Sequence, residues 1–344
     1  MFDIKDFFKI TLTILGTVIG AGFISGREIL TFFYGQNVLL STLIFLSLFF
    51  LSLCVLFYDV KYTSSKWFAF SKPFVYAGDL VLSSGMLSAL DGFYWQIFPD
   101  LKPYPILSII CIIISNVIIS DGIKGLKNAN FILTPIIILI TVFALSLSKN
   151  FDFSAGGDIS AVKLCGYVGL NVFTSSLVFV SVSEKASFKT SFTAAISASV
   201  ILAGLIFLIL SALQNSSDII LQADMPLLKL LEDNAFIKWC FTFAILFGVF
   251  TTLLSSHYPL SELVKTKKNN FLTQALLSLL IFGISRLGFY NIVSFIYPVM
   301  GGAGIVYLAV TCFSEAVFRS VRRKSTSRRQ VCKELPCSSL RDRV

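Results

Sequence analysis

The apolar and polar positions along the chain divide it into ten apolar segments. They run at about 8–34, 37–58, 74–98, 104–120, 129–148, 162–183, 190–213, 235–261, 271–287 and 289–315, separated by clusters of charged and turn-forming residues. The apolar runs are continuous and close to the roughly 20 residues a bilayer-spanning helix needs, whereas barrel strands alternate every second residue. The pattern predicts an all-α, polytopic membrane protein with ten transmembrane helices. Two segments differ from the others. Residues 12–34, LTILGTVIGAGFISGREILTFFY, carry Gly16, Gly20, Gly22 and Gly26 in one span. The sixth segment, AVKLCGYVGLNVFTSSLVFVSVSE, carries Gly166, Gly169, Asn171, Thr174, Ser175 and Ser176 near its middle. Clustered glycine either admits a close neighbour, here through the GxxxG spacings Gly16/Gly20 and Gly22/Gly26, or lets the backbone unwind and turn its free N–H and C=O groups to a ligand. We read unwinding around residues 20–22.

The unusual segments are the first and sixth of ten, which is the placement expected of two five-helix repeats whose leading helices, 1 and 6, are broken at the midplane. Five is odd, so successive copies enter the membrane from opposite sides and the repeat is inverted. The domains then read as a first repeat over 1–148, an external connection over 149–160, a second repeat over 161–315 and a basic, serine-rich tail over 316–344. The tail is expected to be disordered and to lie near anionic lipid headgroups. No residue-level identity between the halves accompanies the pattern.

Composition agrees with the pattern. The chain is 56% hydrophobic and 14% charged, against roughly 45–50% and about 25% for soluble domains. A net charge of +9 suggests nucleic acid until the basic residues are placed. Alternate connections carry Lys5 and Lys9, then Lys61, Lys66 and Lys72, then Lys124 and Lys127, then Lys185 and Lys189, then Lys265, Lys267 and Lys268. The positive-inside rule makes these connections and both termini cytoplasmic, with no nucleic-acid partner. The first apolar run is long and preceded by acids as well as lysines, so no cleavable signal peptide is expected. None of the seven cysteines falls in a clear external loop, which disfavours a disulfide framework.

A few polar residues fall within apolar segments, where ionisable groups are costly and usually functional. Asp79 and Asp91 share the third span with Ser83, Ser84, Gly85 and Ser88. Asp79 is expected near the cytoplasmic interface and Asp91 near the external mouth with access to water. Arg27 and Glu28 follow the glycine break by one turn and are read as an outer gate, the alternative being side chains that reach the external interface. In the eighth span, FGVFTTLLSSHYPLSE, Thr251 and Thr252 follow Gly248 by one helical turn, so a carbonyl and two hydroxyls can converge. The alternative is that the threonines bond their own preceding carbonyls. His257 is expected at the interface. A short external lid helix is expected near residues 226–233.

The run GTVIGAGFISGREILTFF, the ten spans and the polar sixth helix resemble YkvI-type bacterial membrane proteins, which in turn resemble the amino acid–polyamine–organocation superfamily with its LeuT-type fold. The resemblance covers about residues 5–315. It implies a substrate site where helices 1 and 6 unwind, and in sodium-coupled members an ion held between helices 1 and 8. By position it implies a sodium site from the carbonyls of Gly16, Ile19 and Gly248 with the hydroxyls of Thr251 and Thr252. It also implies a substrate site from Gly20, Ala21, Gly22 and Phe23 together with Tyr167, Gly169, Asn171 and Thr174. Proton-pumping members use a lysine or an acid in place of the hydroxyl pair, and the middle of helix 5 has no lysine here.

The expectation is therefore a sodium-coupled symporter of an amino acid or similar small zwitterion, working by alternating access in the bacterial plasma membrane, with the sodium ion as its only cofactor. Two alternatives stay open: a ligand-sensing receptor subunit of the same fold without net transport, and a proton-coupled carrier. An enzyme is disfavoured, since the chain has no HExxH or GxSxG and only one histidine. Substrate identity and oligomeric state are not legible.

Overall fold

The computed structural model describes residues 3–312 apart from 60, 62–65, 98–99, 101–103, 148–155, 224, 233 and 266–269. The tail over 316–344 and most of the connection over 149–160 lie outside the described residues. The described residues are almost wholly helical. Seven helices among them are long and apolar enough to cross a membrane, and two shorter apolar helices, Ile106–Ser120 and Phe271–Ser285, accompany these.

The first apolar segment is interrupted twice. It forms α1 (Ile4–Val18), α2 (Ala21–Ile24) and α3 (Arg27–Phe33). Asp3 caps α1 by accepting hydrogen bonds from the N–H groups of Lys5 and Asp6 at 2.8 and 3.2 Å, so the span starts four residues before the apolar run. The first interruption is at Ile19 and Gly20, one residue earlier than expected, and Gly22 is helical again. The second interruption is at Gly26. Its φ of 81° is left-handed, a conformation that glycine adopts without strain.

Four helices follow: α4 (Val38–Tyr58), α5 (Lys66–Ile97), α6 (Ile106–Ser120) and α7 (Ile123–Ser146). Then come α8 (Ala161–Ser183) and α9 (Phe188–Leu213). Short α10 (Asp218–Leu221) and α11 (Pro226–Leu230) precede α12 (Ala235–Val264) and α13 (Asn270–Ser285); α11 falls where the lid helix is expected. The final span, Ile292–Cys312, opens with a π-helical turn over Ile292–Ile296.

The sixth span corrects the expectation of two broken helices: α8 runs without interruption through Gly166 and Gly169. Its glycines make room for a neighbour. A methyl group at Gly169 would lie 2.7 Å from the Ile305 backbone nitrogen, one at Gly301 would lie 2.8 Å from the Gly166 carbonyl oxygen, and one at Gly304 would overlap the Gly169 carbonyl. The two helices thus touch backbone to backbone, the close approach that small residues allow within membranes. The polar side chains of α8 turn inward on their own helix. Asn171 donates to the Tyr167 carbonyl at 2.9 Å and Thr174 to the Leu170 carbonyl at 2.9 Å, so these polar groups are satisfied on their own helix.

Burial places α8 and α1 at the centre. The most apolar window of α8 is 83% buried, against 33% for those of α4 and α7, and α1 is buried from Thr13 to Val18. On α6 and α7 the exposed Ile110, Ile113, Ile114 and Val117, and Ile132, Ile136, Leu139 and Phe143, recur at helical spacing. These stripes are suited to lipid.

Hydrogen bonds between loops define two ends of the bundle. At one end Gly157 donates to the Gly35 carbonyl at 2.7 Å, Ser160 N–H donates to the Gln36 side chain at 2.9 Å and Leu227 N–H donates to the Ser25 carbonyl at 2.9 Å. At the other, Lys61 donates to the Ala186 carbonyl at 2.9 Å, Lys127 to the Val182 carbonyl at 3.1 Å and Lys9 to the Asn128 side chain at 3.2 Å. The end of α3, the start of α8 and the end of α9 therefore share one face. The start of α1, the end of α4, the start of α7 and the α8–α9 turn share the opposite one.

Candidate functional site

The interruption in α1 frees specific backbone groups. Ile19 N–H still closes a helical bond to the Leu15 carbonyl at 2.8 Å, but Gly20 N–H turns to the Val18 carbonyl at 2.9 Å. The Gly16 carbonyl thereby loses its i+4 donor, and a buried carbonyl needs another partner. That partner comes from α12. Thr252 Oγ1 lies 3.5 Å from the Gly16 carbonyl oxygen and 3.3 Å from that of Thr17. The Ile19 carbonyl oxygen abuts Gly248, where an added methyl would lie 3.1 Å away. Thr251 Oγ1 donates to the Gly248 carbonyl at 3.0 Å. Where α1 breaks against α12 the Gly16 carbonyl thus meets Thr252 and the Ile19 carbonyl meets Gly248, while the Thr251 hydroxyl is taken up by its own helix; all five residues are buried.

The site chemistry is uniform: neutral carbonyl and hydroxyl oxygens, without thiolate or imidazole. Such a set suits a hard cation. The Thr252 contacts, at 3.5 and 3.3 Å, are longer than the 2.7–2.8 Å usual between hydroxyl and acceptor. Hydroxyls extend from this point towards the other end of the bundle. Thr17 Oγ1 donates to Ser255 Oγ at 2.9 Å, and Ser83 Oγ of α5 donates to Ser256 Oγ at 2.8 Å.

A cavity of about 10 Å³ adjoins this point, lined by Thr17, Val18, Gly20 and Glu28 of the first span, Leu82 and Met86 of α5, Leu170, Asn171 and Thr174 of α8, Thr252 and Tyr297. It has room for about one water molecule. Of the expected substrate residues, Gly20, Asn171 and Thr174 line it. Ala21, Gly22, Phe23, Tyr167 and Gly169 are buried but do not line it. Leu82, Met86 and Tyr297 are additions from the third and last spans. Tyr297 is 1% exposed and its hydroxyl has no partner among the described residues. The π-helical turn ends at Ile296, and such insertions re-aim the side chains that follow them; the dipeptide Tyr297-Pro298 is the only trace of this in the sequence.

Arg27 and Glu28 diverge. The Arg27 guanidinium donates to the Leu221 carbonyl of α10 at 3.1 Å, on the end of the bundle where α11 meets Ser25. Glu28 points the other way. It is 5% exposed, its side chain folds against Gly22, and Oε2 accepts a hydrogen bond from the Tyr167 hydroxyl at 3.3 Å. Tyr167 is fixed by aromatic contacts with Phe32, Phe33 and Phe45 at centroid distances of 5.2, 5.2 and 5.7 Å. Arg27 therefore reaches towards that end of the bundle, whereas Glu28 lies in the cavity wall.

Three single polar residues of the spans are buried within the protein. Asp91 is 2% exposed and ion-paired with Arg286, since a carboxylate in an apolar span is retained at low cost only with a partner. His257 is fully buried between α12 and α6, with Nδ1 2.9 Å from Ser115 Oγ. Asp79 is fully buried as well, and neither carboxyl oxygen has a hydrogen-bond partner among the described residues.

No protein-family model matches the chain. It is 24% identical over 325 residues to the uncharacterized protein YyaD of Bacillus subtilis (strain 168), a match covering 85% of this chain and 92% of that protein. It is also 24% identical over 340 residues to the uncharacterized membrane protein YkvI of the same organism, covering 88% and 95%. A solved structure of a Na+-coupled sialic acid symporter, in a substrate-bound outward-open state, superposes on 89% of this chain and 78% of its own with a TM-score of 0.60 at 14% identity. The fold is that of LeuT-type transporters. At that identity the likeness concerns the fold alone. Within the LeuT-type fold, this chain keeps the interruption of the first span and has an unbroken α8.

Proposed function

We propose that the protein is a secondary active transporter that couples sodium to the movement of an amino acid or similar small zwitterion by alternating access. The observation that carries the proposal is the meeting of the freed Gly16 carbonyl with Thr252 beside a cavity that also touches α5, α8 and the last span. A cation bound by Gly16, Ile19, Gly248, Thr251 and Thr252 joins α1 to α12, and so favours whichever conformation brings them together; a ligand shifts such an equilibrium only through its differential affinity. A cavity with room for only one water suits a stage of that cycle in which the solute site is contracted.

Ten spans are part of the proposal. The seven long helices, the two shorter ones and the interrupted first span supply them. So is a five-plus-five arrangement with repeats over 1–148 and 161–315, supported by the shared face of the α3 end and the α8 start. Lysines 9, 61 and 127 make hydrogen bonds at one end of the bundle, which supports placing that end and both termini in the cytoplasm of a bacterial plasma membrane. The test is a thermal-shift and equilibrium-binding screen of purified protein against amino acids in sodium and in choline. Ligand-induced stabilisation that requires sodium supports the proposal. Equal stabilisation in choline favours a proton-coupled or uncoupled carrier, and binding without uptake in proteoliposomes favours a receptor subunit.

A further inference from the structure

The cavity is amphipathic in a specific way. Val18, Leu82, Met86 and Leu170 give it apolar surface, Thr17, Asn171, Thr174, Thr252 and Tyr297 give it neutral polar groups, and Glu28 gives it one acid. No lysine, arginine or histidine is among the lining residues. The neighbouring guanidinium of Arg27 is directed away, to the Leu221 carbonyl. A carboxylate removed from water must be paired or neutralised. The Tyr167 hydroxyl supplies one hydrogen bond to it and no positive charge.

From this arrangement we infer that Glu28 is the counter-charge for a protonated amine on the transported solute. The inference rests on the transporter reading and adds to it the residue that meets the ammonium group of the solute. An ammonium has three donors and no acceptor. The site opposes it with acceptors: the Glu28 carboxylate, the hydroxyl oxygens of Thr174 and Tyr297, and the side-chain oxygen of Asn171, whose amide nitrogen is already committed to the Tyr167 carbonyl. The Tyr297 hydroxyl, without a partner among the described residues, is the group this arrangement leaves for the solute. Tyr167, held by Phe32, Phe33 and Phe45, acts as a positioning residue that fixes the carboxylate towards the cavity. A cargo without a cationic group would leave the Glu28 carboxylate with no counter-charge, so that it would have to take up a proton each time the cavity closed.

The test compares matched solutes on the full chain purified in detergent with sodium present. The probes are the proteinogenic L-amino acids, the amines tyramine and cadaverine, the 2-hydroxy acids lactate, phenyllactate and malate, and uncharged glucose and uracil. Thermal stabilisation by one or more amine-bearing probes but by none of the hydroxy acids or uncharged solutes is expected. Glu28→Gln is expected to weaken amine binding by about ten- to a hundredfold, the scale of losing a hydrogen bond to a charged partner. Glu28→Asp is expected to weaken it less, and the sodium concentration for half-maximal effect is expected to stay unchanged in both.

Binding of hydroxy acids or uncharged solutes as tightly as their amine counterparts overturns the inference while leaving a transporter in place. Wild-type amine affinity in Glu28→Gln overturns it too, as does a shift in sodium dependence with no change in amine preference, which assigns the carboxylate to the ion. If Glu28→Gln does not fold, the comparison of matched probes on the wild-type chain decides. Absence of stabilisation by every class of solute removes the transporter reading and the inference together.

Discussion

Thr252 Oγ1 sits 3.5 Å from the Gly16 carbonyl oxygen, across 236 residues of sequence, at the point where the first helix loses its own hydrogen bonding. The pair joins an interrupted helix to an intact one. Losing one buried polar partner costs about 1–3 kcal/mol. Thr252→Ala is therefore expected to raise the sodium concentration for half-maximal ligand stabilisation about tenfold or more, with Thr252→Ser milder because the hydroxyl remains. Unchanged sodium dependence in the alanine variant would remove Thr252 from the ion site.

The contact of α8 with the last span predicts a sharp difference between neighbouring glycines. A methyl at Gly304 would overlap the Gly169 carbonyl, whereas one at Gly302 would meet nothing within 4 Å. Gly304→Val is expected to destabilise the protein by about 1–3 kcal/mol, the usual scale of overpacking, and Gly302→Val to leave stability nearly unchanged. Thermal unfolding in detergent measures both, and equal melting temperatures would show that the helices do not touch there.

Asp91 and Arg286 form an ion pair in which the acid is 2% exposed and the arginine side chain 38% exposed. The guanidinium also lies over the Phe282 ring, 4.4 Å from its centroid. Arg286→Met is expected to cost an amount near the lower end of the about 3–5 kcal/mol seen when one partner of a buried pair is removed, because the arginine is partly solvated. The double variant Asp91→Asn/Arg286→Met is expected to recover much of that loss. A double-mutant cycle of unfolding free energies reads the coupling directly, and strict additivity would show that the pair does not interact.

Topology is open to direct labelling. With the reactive native cysteines replaced, Asp158→Cys is expected to react with a membrane-impermeant maleimide added to intact cells, and Lys185→Cys only after permeabilisation. Both residues are exposed, just before α8 and just after it. The reverse pattern would invert the orientation and place both termini outside.

The helices were legible because lipid-facing stripes and charged connections follow from local composition. The interruption in the first span was legible for the same reason: Gly20 and Gly22 fall in one apolar run, and the break lies at Ile19 and Gly20. Gly166 and Gly169 carry a similar local signal, yet their role is close packing. The difference lies in Gly301 and Gly304, about 130 residues away, and no feature within α8 announces them. The meeting of Gly248 and Thr252 with α1 was expected through a family resemblance. The inward turn of Glu28 was not, since its direction depends on the left-handed Gly26 and on the bare backbone of Gly22. Asp91 and Arg286 are separated by 195 residues, so their pairing had no local trace either.

The backbone contact between α8 and the last span has a mechanical consequence. Gly169 and Gly304 meet without side chains between them, so there are no rotamers there to absorb a relative displacement. Sliding one helix along the other by a residue would drive Val168 or Leu170, or Ala303 or Ile305, into a gap sized for hydrogen atoms. Gly166 and Gly301 meet in the same bare fashion one turn along, so two backbone contacts hold the pair, and the helices are expected to shift as one unit rather than past each other.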